Sequence, residues 1–222
     1  EMQRSLVGSE MCIRDRFCMA FPLWRLYSYH RPSFMRPDNP DNKNRQETCI
    51  ITNTEKLGKE HIDKVVEEIR TNEALAAKLN PTGKASLAAT SIECENGTKL
   101  HLRGKDGFIR GLHVGSAVSD DLPDESSIYS LEQREKLRDL FKGAITPIVE
   151  PYGYNIVDGT PYQQDDLYAD LKRDPKFMVF EYPAIDPNGR LLAPDRFTFD
   201  KLMQEKASLG TLVFSREYLV VP

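Results

Sequence analysis

Apolar positions along this chain keep two rhythms, one near 3.6 residues and one near 2, and their alternation predicts the elements. Phe17 to His30 (FCMAFPLWRLYSYH) is apolar and aromatic almost all round and predicts a buried helix, with Pro22 tolerable in a first turn or at a kink. Arg31 to Gln46 is rich in Pro, Asp and Asn and reads as a surface loop. Thr48 to Thr52 (TCIIT) is a short β-branched run, read as a buried strand. Asn53 or Thr54 can cap a following helix whose apolar positions are Leu57, Ile62, Val65, Val66 and Ile69, although Gly58 weakens its first turn. Then Ile92, Cys94, Leu100 and Leu102 alternate with polar residues around Asn96-Gly97, a strong hairpin signal.

Beyond Val118 the chain turns acidic. Ser130 and Gln133 form a capping box ahead of a helix with the apolar face Leu137, Leu140, Phe141, Ala144 and Ile145. Tyr154 to Val157 predicts a second buried strand, Asp165 or Asp166 a cap for a helix through Leu171, and Lys176 to Tyr182 (KFMVFEY) a third strand. Thr198 to Leu219 reads as helical stretches broken at Gly210. Strands alternating with helices give an α/β domain with a largely parallel sheet, the hairpin being a local insertion. No internal repeat is seen.

Composition narrows the function. The chain has 222 residues, 40% hydrophobic and 29% charged, which is globular rather than disordered. No apolar run approaches the roughly 20 residues of a membrane helix. Thirty Lys and Arg against 34 Asp and Glu leave a net charge of −4, so any DNA contact is local rather than spread over a basic face. Cys12, Cys18, Cys49 and Cys94 lack CxxC or Cys/His spacing, and His30, His61, His101 and His113 show no ligand spacing either. Neither a zinc motif nor a disulfide framework is indicated, and a reducing cytosol is the default.

The most informative stretch is Val114 to Glu125 (VGSAVSDDLPDE). A short strand ending in two acids puts carboxylates at the carboxyl edge of a sheet, where open α/β folds bind ligands. One acid can hold Mg²⁺ through its water shell while its neighbour orients a water against a γ-phosphate. The plainer alternative is that these acids complement the positive amino end of the next helix. Gly115, Ser116, Ala117 and Ser119 are also small or polar for a buried strand. Farther on, Gly159-Thr160 follows the second strand, and there a hydroxyl can sense a γ-phosphate, although Gly-Thr-Pro alone is simply a turn. Lys99, Arg103, Lys105 and Arg110 lie on or just after the hairpin and read first as a solvated face. Trp24, Tyr27 and Tyr29 could stack bases, but packing against the sheet is the simpler assignment.

The order of segments resembles the ATPase domain of the large terminase subunit of tailed bacteriophages, the motor that packages DNA into preformed capsids. The resemblance rests on Phe108-Ile109-Arg110-Gly111, Ser119-Asp120-Asp121-Leu122, Ser130 to Leu137, Asp158-Gly159-Thr160-Pro161-Tyr162, Asp165-Asp166-Leu167-Tyr168, Pro183-Ala184-Ile185, Leu192 to Phe197 and Phe214 to Leu219. No one of these is specific; their order and spacing are. The resemblance implies a P-loop NTPase-like sheet flanked by helices, with ATP and Mg²⁺ as cofactors. Asp120 matches the Walker B metal aspartate, Asp121 the adjacent catalytic carboxylate, Gly159 and Thr160 the coupling motif, and Arg110 a trans-acting finger. It implies double-stranded DNA, portal, procapsid, small terminase subunit and a homo-oligomeric ring as partners, in the host cytoplasm.

Residues 1–16 (EMQRSLVGSEMCIRDR) resemble a translated sequencing adapter and read as non-native or disordered, leaving 17–222 as the terminase-like domain. The GK[ST] phosphate loop is expected where that tract stands, and a nuclease domain is expected after Pro222. Two other readings stay open: a Mg²⁺-dependent nuclease built on Asp120, Asp121, Asp124 and Glu125 with Asp165 and Asp166, and a catalytically silent interaction module.

Overall fold

The computed structural model describes residues 16–28, 47–80 and 90–222. The expectations for residues 1–15, for Tyr29 and His30, and for the loop through Gln46 lie outside those residues. The chain divides into two units. The first takes in the described residues through Asp124 together with 136–158, and the second takes in 125–135 and 159–222. Among the described residues, no helix is long and apolar enough to cross a membrane.

The first unit is built on a five-stranded sheet of β1 (Glu47–Thr52), β2 (Ser91–Glu93), β3 (Lys99–Gly104), β4 (Val114–Asp120) and β5 (Val149–Asp158). Their spatial order is β2-β3-β1-β4-β5. β1 pairs in parallel with β3 and β4, and β4 with β5; only β2 is antiparallel, to β3. The predicted hairpin thus joins the sheet through its second strand. Gly97 takes the left-handed conformation (φ 81°) that its turn needs. The Asn96 side chain accepts from the Thr98 backbone (3.0 Å) and hydroxyl (2.6 Å) and donates to the Leu26 carbonyl (2.9 Å).

Helix α1 (Phe21–Ser28) follows a π-helical turn, Arg16–Ala20. It is one-sided, contrary to the expectation of a helix buried all round: Pro22, Leu23 and Leu26 are buried, whereas Trp24 and Tyr27 are exposed. Only one stripe of a single helix can face a sheet, so the surplus aromatics lie outside. Trp24 meets Phe21 and Tyr154 at 5.7 and 6.3 Å between ring centroids, and the Arg25 guanidinium lies over both Trp24 and Tyr154. The Tyr27 ring is covered by the Lys78 ammonium at 3.7 Å.

Helix α2 (Glu55–Thr71) is capped by Thr54, whose hydroxyl accepts from the Leu57 N–H. Its buried residues Ile62, Val65, Val66 and Ile69 follow the i, i+3, i+4, i+7 rhythm and meet Ile50, Leu100 and Leu102 of the sheet with Leu23 and Leu26 of α1. Leu79 of α3 (Glu73–Leu79) closes the same core. Gly58 is there for closeness: a Cβ would stand 1.9 Å from Leu102 Cδ1.

All seven β4 residues are buried. Its polar character is accommodated by a hydrogen bond between the Ser116 and Thr48 hydroxyls (2.9 Å), with Arg25 Nε donating to Ser116 at 3.2 Å. After α4 (Glu125–Tyr129), helix α5 (Leu131–Leu140) starts at Ser130, whose hydroxyl accepts from the Gln133 N–H as one half of the expected capping box, while the Ser130 N–H donates to the Ser126 carbonyl. It passes through a π turn (Phe141–Ile145) and a 3₁₀ turn (Thr146–Ile148) carrying Pro147 into β5, an edge strand longer than the sequence pattern marks.

In the second unit, Asp166 caps α6 (Leu167–Arg173), and α7 (Phe199–Leu209) and α8 (Thr211–Leu219) are separated by Gly210 at φ 79°. Leu202, Phe214, Tyr218 and Ala184 form its core, the rings of Phe214 and Tyr218 stacking at 4.8 Å. The third strand expected at Lys176 to Tyr182 does not form. Met178, Phe180 and Tyr182 are exposed, and the segment enters no ladder among the described residues. β propensity measures fit to a sheet surface, and here no neighbouring strand supplies one.

Candidate functional site at the carboxyl edge of the sheet

The sheet changes direction between β1 and β4. The connection leaving β1 through α2 and α3 goes to β3 on one side, whereas that leaving β4 through α4 and α5 goes to β5 on the other. Such a switch point opens a crevice at the carboxyl ends of the two strands, where ligands bind in open α/β sheets. Those ends are Thr52 and Asp120, which are register partners; Asp120 is in turn paired with Asp158 of β5.

Asp120 is fully buried. Asp121 leaves the strand in the left-handed region (φ 48°), a conformation Asp tolerates better than most residues, and its N–H donates to the Asp158 carbonyl at 3.0 Å. Locally held backbone of this kind concentrates at functional sites. Thr52 Oγ1 donates to the Thr54 carbonyl at 2.7 Å, which ties the amino end of α2 to the end of β1. Gly104 at the end of β3 approaches the same helix, since a Cβ there would lie 2.9 Å from the Glu55 nitrogen.

Sequence reasoning missed His61. One turn beyond Gly58 on α2, it is buried, and its Nε2 lies 2.9 Å from Asp120 Oδ2. Cys18, also buried, brings its sulfur to the same place: one donor atom each from Cys18, His61 and Asp120 lie within 4.8 Å of one another. The only available signal was a buried-face position for His61, because no local spacing links residues drawn from two helical segments and a strand.

The remaining candidates are distributed. Asp124 pairs with Lys105, while Asp165 pairs with Arg134 at 3.1 Å. Asp166 accepts from the backbone of Tyr162, Gln163 and Ala169. These acids therefore have structural partners. Among the basic residues, Lys99 approaches Glu93 at 3.8 Å and Arg103 donates to the carbonyls of Leu102 and Phe108. Arg110 is exposed and lies ahead of β4, whereas Asp120 ends that strand, which spans roughly 20 Å at about 3.3 Å per residue. Gly159 follows Asp158 in the chain and belongs to the second unit, where a Cβ would stand 1.8 Å from Tyr168 Oη; Thr160 is half-buried. Of the other thiols, Cys49 lies within β1 and burial pushes it up to about 12, and burial raises Cys94 as well.

Neither a family model nor a curated protein matches the chain. Solved structures do, and two of them are described by name. One is a point mutant of the large terminase ATPase domain of Thermus phage P74-26, with TM-score 0.60 and 14% identity over 89% of this chain and 80% of that one. The other is the same phage's large terminase ATPase domain, with TM-score 0.51 and 15% identity over 89% and 79%. At these identities the likeness is one of architecture: the chain folds as a phage large terminase ATPase domain folds.

Proposed function

We propose that this chain is the ATP-hydrolysing motor domain of a large terminase subunit, driving double-stranded DNA into a procapsid. The observation that carries the reading is the carboxylate pair Asp120-Asp121 at the carboxyl end of the fully buried strand β4, at the switch point of the sheet. The fold supports it. Carboxylates at such an edge are hard oxygen donors and fit Mg²⁺, which when bound neutralises charge on the phosphate oxygens.

In this mechanism Asp120 would hold the cation, whose charge would offset that of the phosphates. Asp121 orients the attacking water and takes up its proton on the carboxylate. Arg110, which lies ahead of the strand that Asp120 ends, reaches the site of a neighbour in a homo-oligomeric ring and stabilises transition-state charge there. Gly159 and Thr160 register loss of the γ-phosphate and relay it to the motor. Portal, procapsid and small terminase subunit are the partners, in the host cytoplasm. The 222 residues contain no GK[ST] sequence, so hydrolysis is assigned to a chain in which a phosphate-binding loop precedes Phe17. The nuclease alternative is weakened by the structural partners of Asp124, Asp165 and Asp166.

The test supplies such a loop ahead of Phe17 and measures Mg²⁺-dependent phosphate release. Asp121→Asn is expected to lower turnover at least about 10²-fold with nucleotide binding intact, as for loss of a general base, while Asp120→Asn weakens Mg²⁺-ATP binding. Arg110→Ala should silence assembled rings, and mixing it with Asp121→Asn subunits should restore activity at interfaces that pair the two intact residues. Turnover near wild type in both aspartate variants would remove the acids from the mechanism. Metal-dependent nicking of plasmid would transfer the reading to the nuclease.

A further inference from the structure

We infer that Cys18, His61 and Asp120 form a binding site for a thiophilic divalent cation of the zinc class. The inference does not rest on the ATPase reading. All three side chains are buried, and their donor atoms lie within 4.8 Å of one another. A tetrahedral ion with Zn–N and Zn–O near 2.1 Å and Zn–S near 2.3 Å spaces its ligand atoms roughly 3.3 to 3.7 Å apart. The His61–Asp120 separation of 2.9 Å is a hydrogen bond shorter than that spacing, so binding an ion requires these two side chains to part by about half an ångström.

Donor chemistry chooses the ion. One sulfur, one imidazole nitrogen and one carboxylate oxygen suit Zn²⁺ and its neighbours in the transition series, whereas Mg²⁺ favours an all-oxygen donor set. Three protein ligands leave one position for water. On binding, the Cys18 thiol gives its proton to solvent and the ion takes the place of the hydrogen bond between His61 and Asp120. Such an ion would also occupy the carboxylate assigned above to Mg²⁺.

Titrating the 222-residue chain with Co²⁺ tests this without any assay of hydrolysis. One equivalent is expected to bind and to produce a thiolate-to-cobalt charge-transfer band. The band should vanish in Cys18→Ser and persist in Cys12→Ser and Cys94→Ser. His61→Ala should weaken binding by more than the about 10- to 100-fold that removal of an outer-shell partner costs. X-ray absorption on the zinc-loaded wild-type chain gives a check independent of any variant's folding: one sulfur near 2.3 Å is expected in the first shell. A shell of nitrogen and oxygen only, no thiolate band in the wild type, or a band that survives Cys18→Ser would overturn the assignment.

Discussion

Gly58→Ala sets two known effects against each other at one atom. In an exposed helix the change would stabilise by about 1 kcal/mol, because alanine has the better helix propensity. Here the added methyl would lie 1.9 Å from Leu102 Cδ1, 3.0 Å from Leu102 Cγ and 2.9 Å from Thr52 Oγ1. Leu102 is completely buried in the core that α2 shares with the sheet, so it has no free volume to retreat into. Overpacking of this kind costs about 1 to 3 kcal/mol. With three close contacts to buried groups, the clash should sit at the upper end of that range, outweigh the propensity gain and leave a net loss of up to about 2 kcal/mol. Urea unfolding followed by far-UV circular dichroism reads this as a lower midpoint with an unchanged slope. A double-mutant cycle with Leu102→Ala sharpens it: truncating the leucine should cost at least about 1 kcal/mol less in the Gly58→Ala background than alone. A Gly58→Ala chain more stable than wild type, or a cycle without coupling, would refute the argument.

Three further outcomes follow from single features. Gly159→Ala must relieve a Cβ placed 1.8 Å from Tyr168 Oη at a backbone φ of 155°; a loss of at least about 2 kcal/mol is expected, and chemical denaturation that shows no change would disprove the packing. Asp166→Ala removes the acceptor of three backbone N–H groups and should cost about 1 to 2 kcal/mol, with faster amide exchange at Tyr162, Gln163 and Ala169 as the local signature. For Cys49, whose thiol is raised to about 12 from 9.0, the native state holds its proton longer than the unfolded chain does. Its contribution is therefore complete below pH 9 and lost as pH rises from there toward 12, so urea midpoints should fall over that range and fall less steeply in Cys49→Ala.

What could be read in the sequence was local. Alternation around Asn96-Gly97 specifies the hairpin, since few residues other than glycine suit that turn. The 3.6 rhythm of Ile62, Val65, Val66 and Ile69 specifies the buried face of α2, and the caps at Ser130 and at Asp165 or Asp166 mark where helices begin, the structure choosing Asp166. Two acids closing a short strand place the candidate site at a sheet edge before any coordinates exist. Each of these depends on contacts within a few residues or on a period intrinsic to one element.

Only tertiary structure decides what lies across from an element. KFMVFEY has strand propensity but no ladder to join, and Trp24 has an apolar surface that one helix cannot turn inward along with Leu23 and Leu26. Gly58 looks like a defect in a helix until Leu102 is seen against it. His61 and Asp120 are 59 positions apart, and their 2.9 Å contact exists because the end of β1 and the amino end of α2 are tied at Thr52, beside the strand that carries the acid. No periodicity encodes that distance. It follows from parallel register and helix docking, which the whole chain sets together.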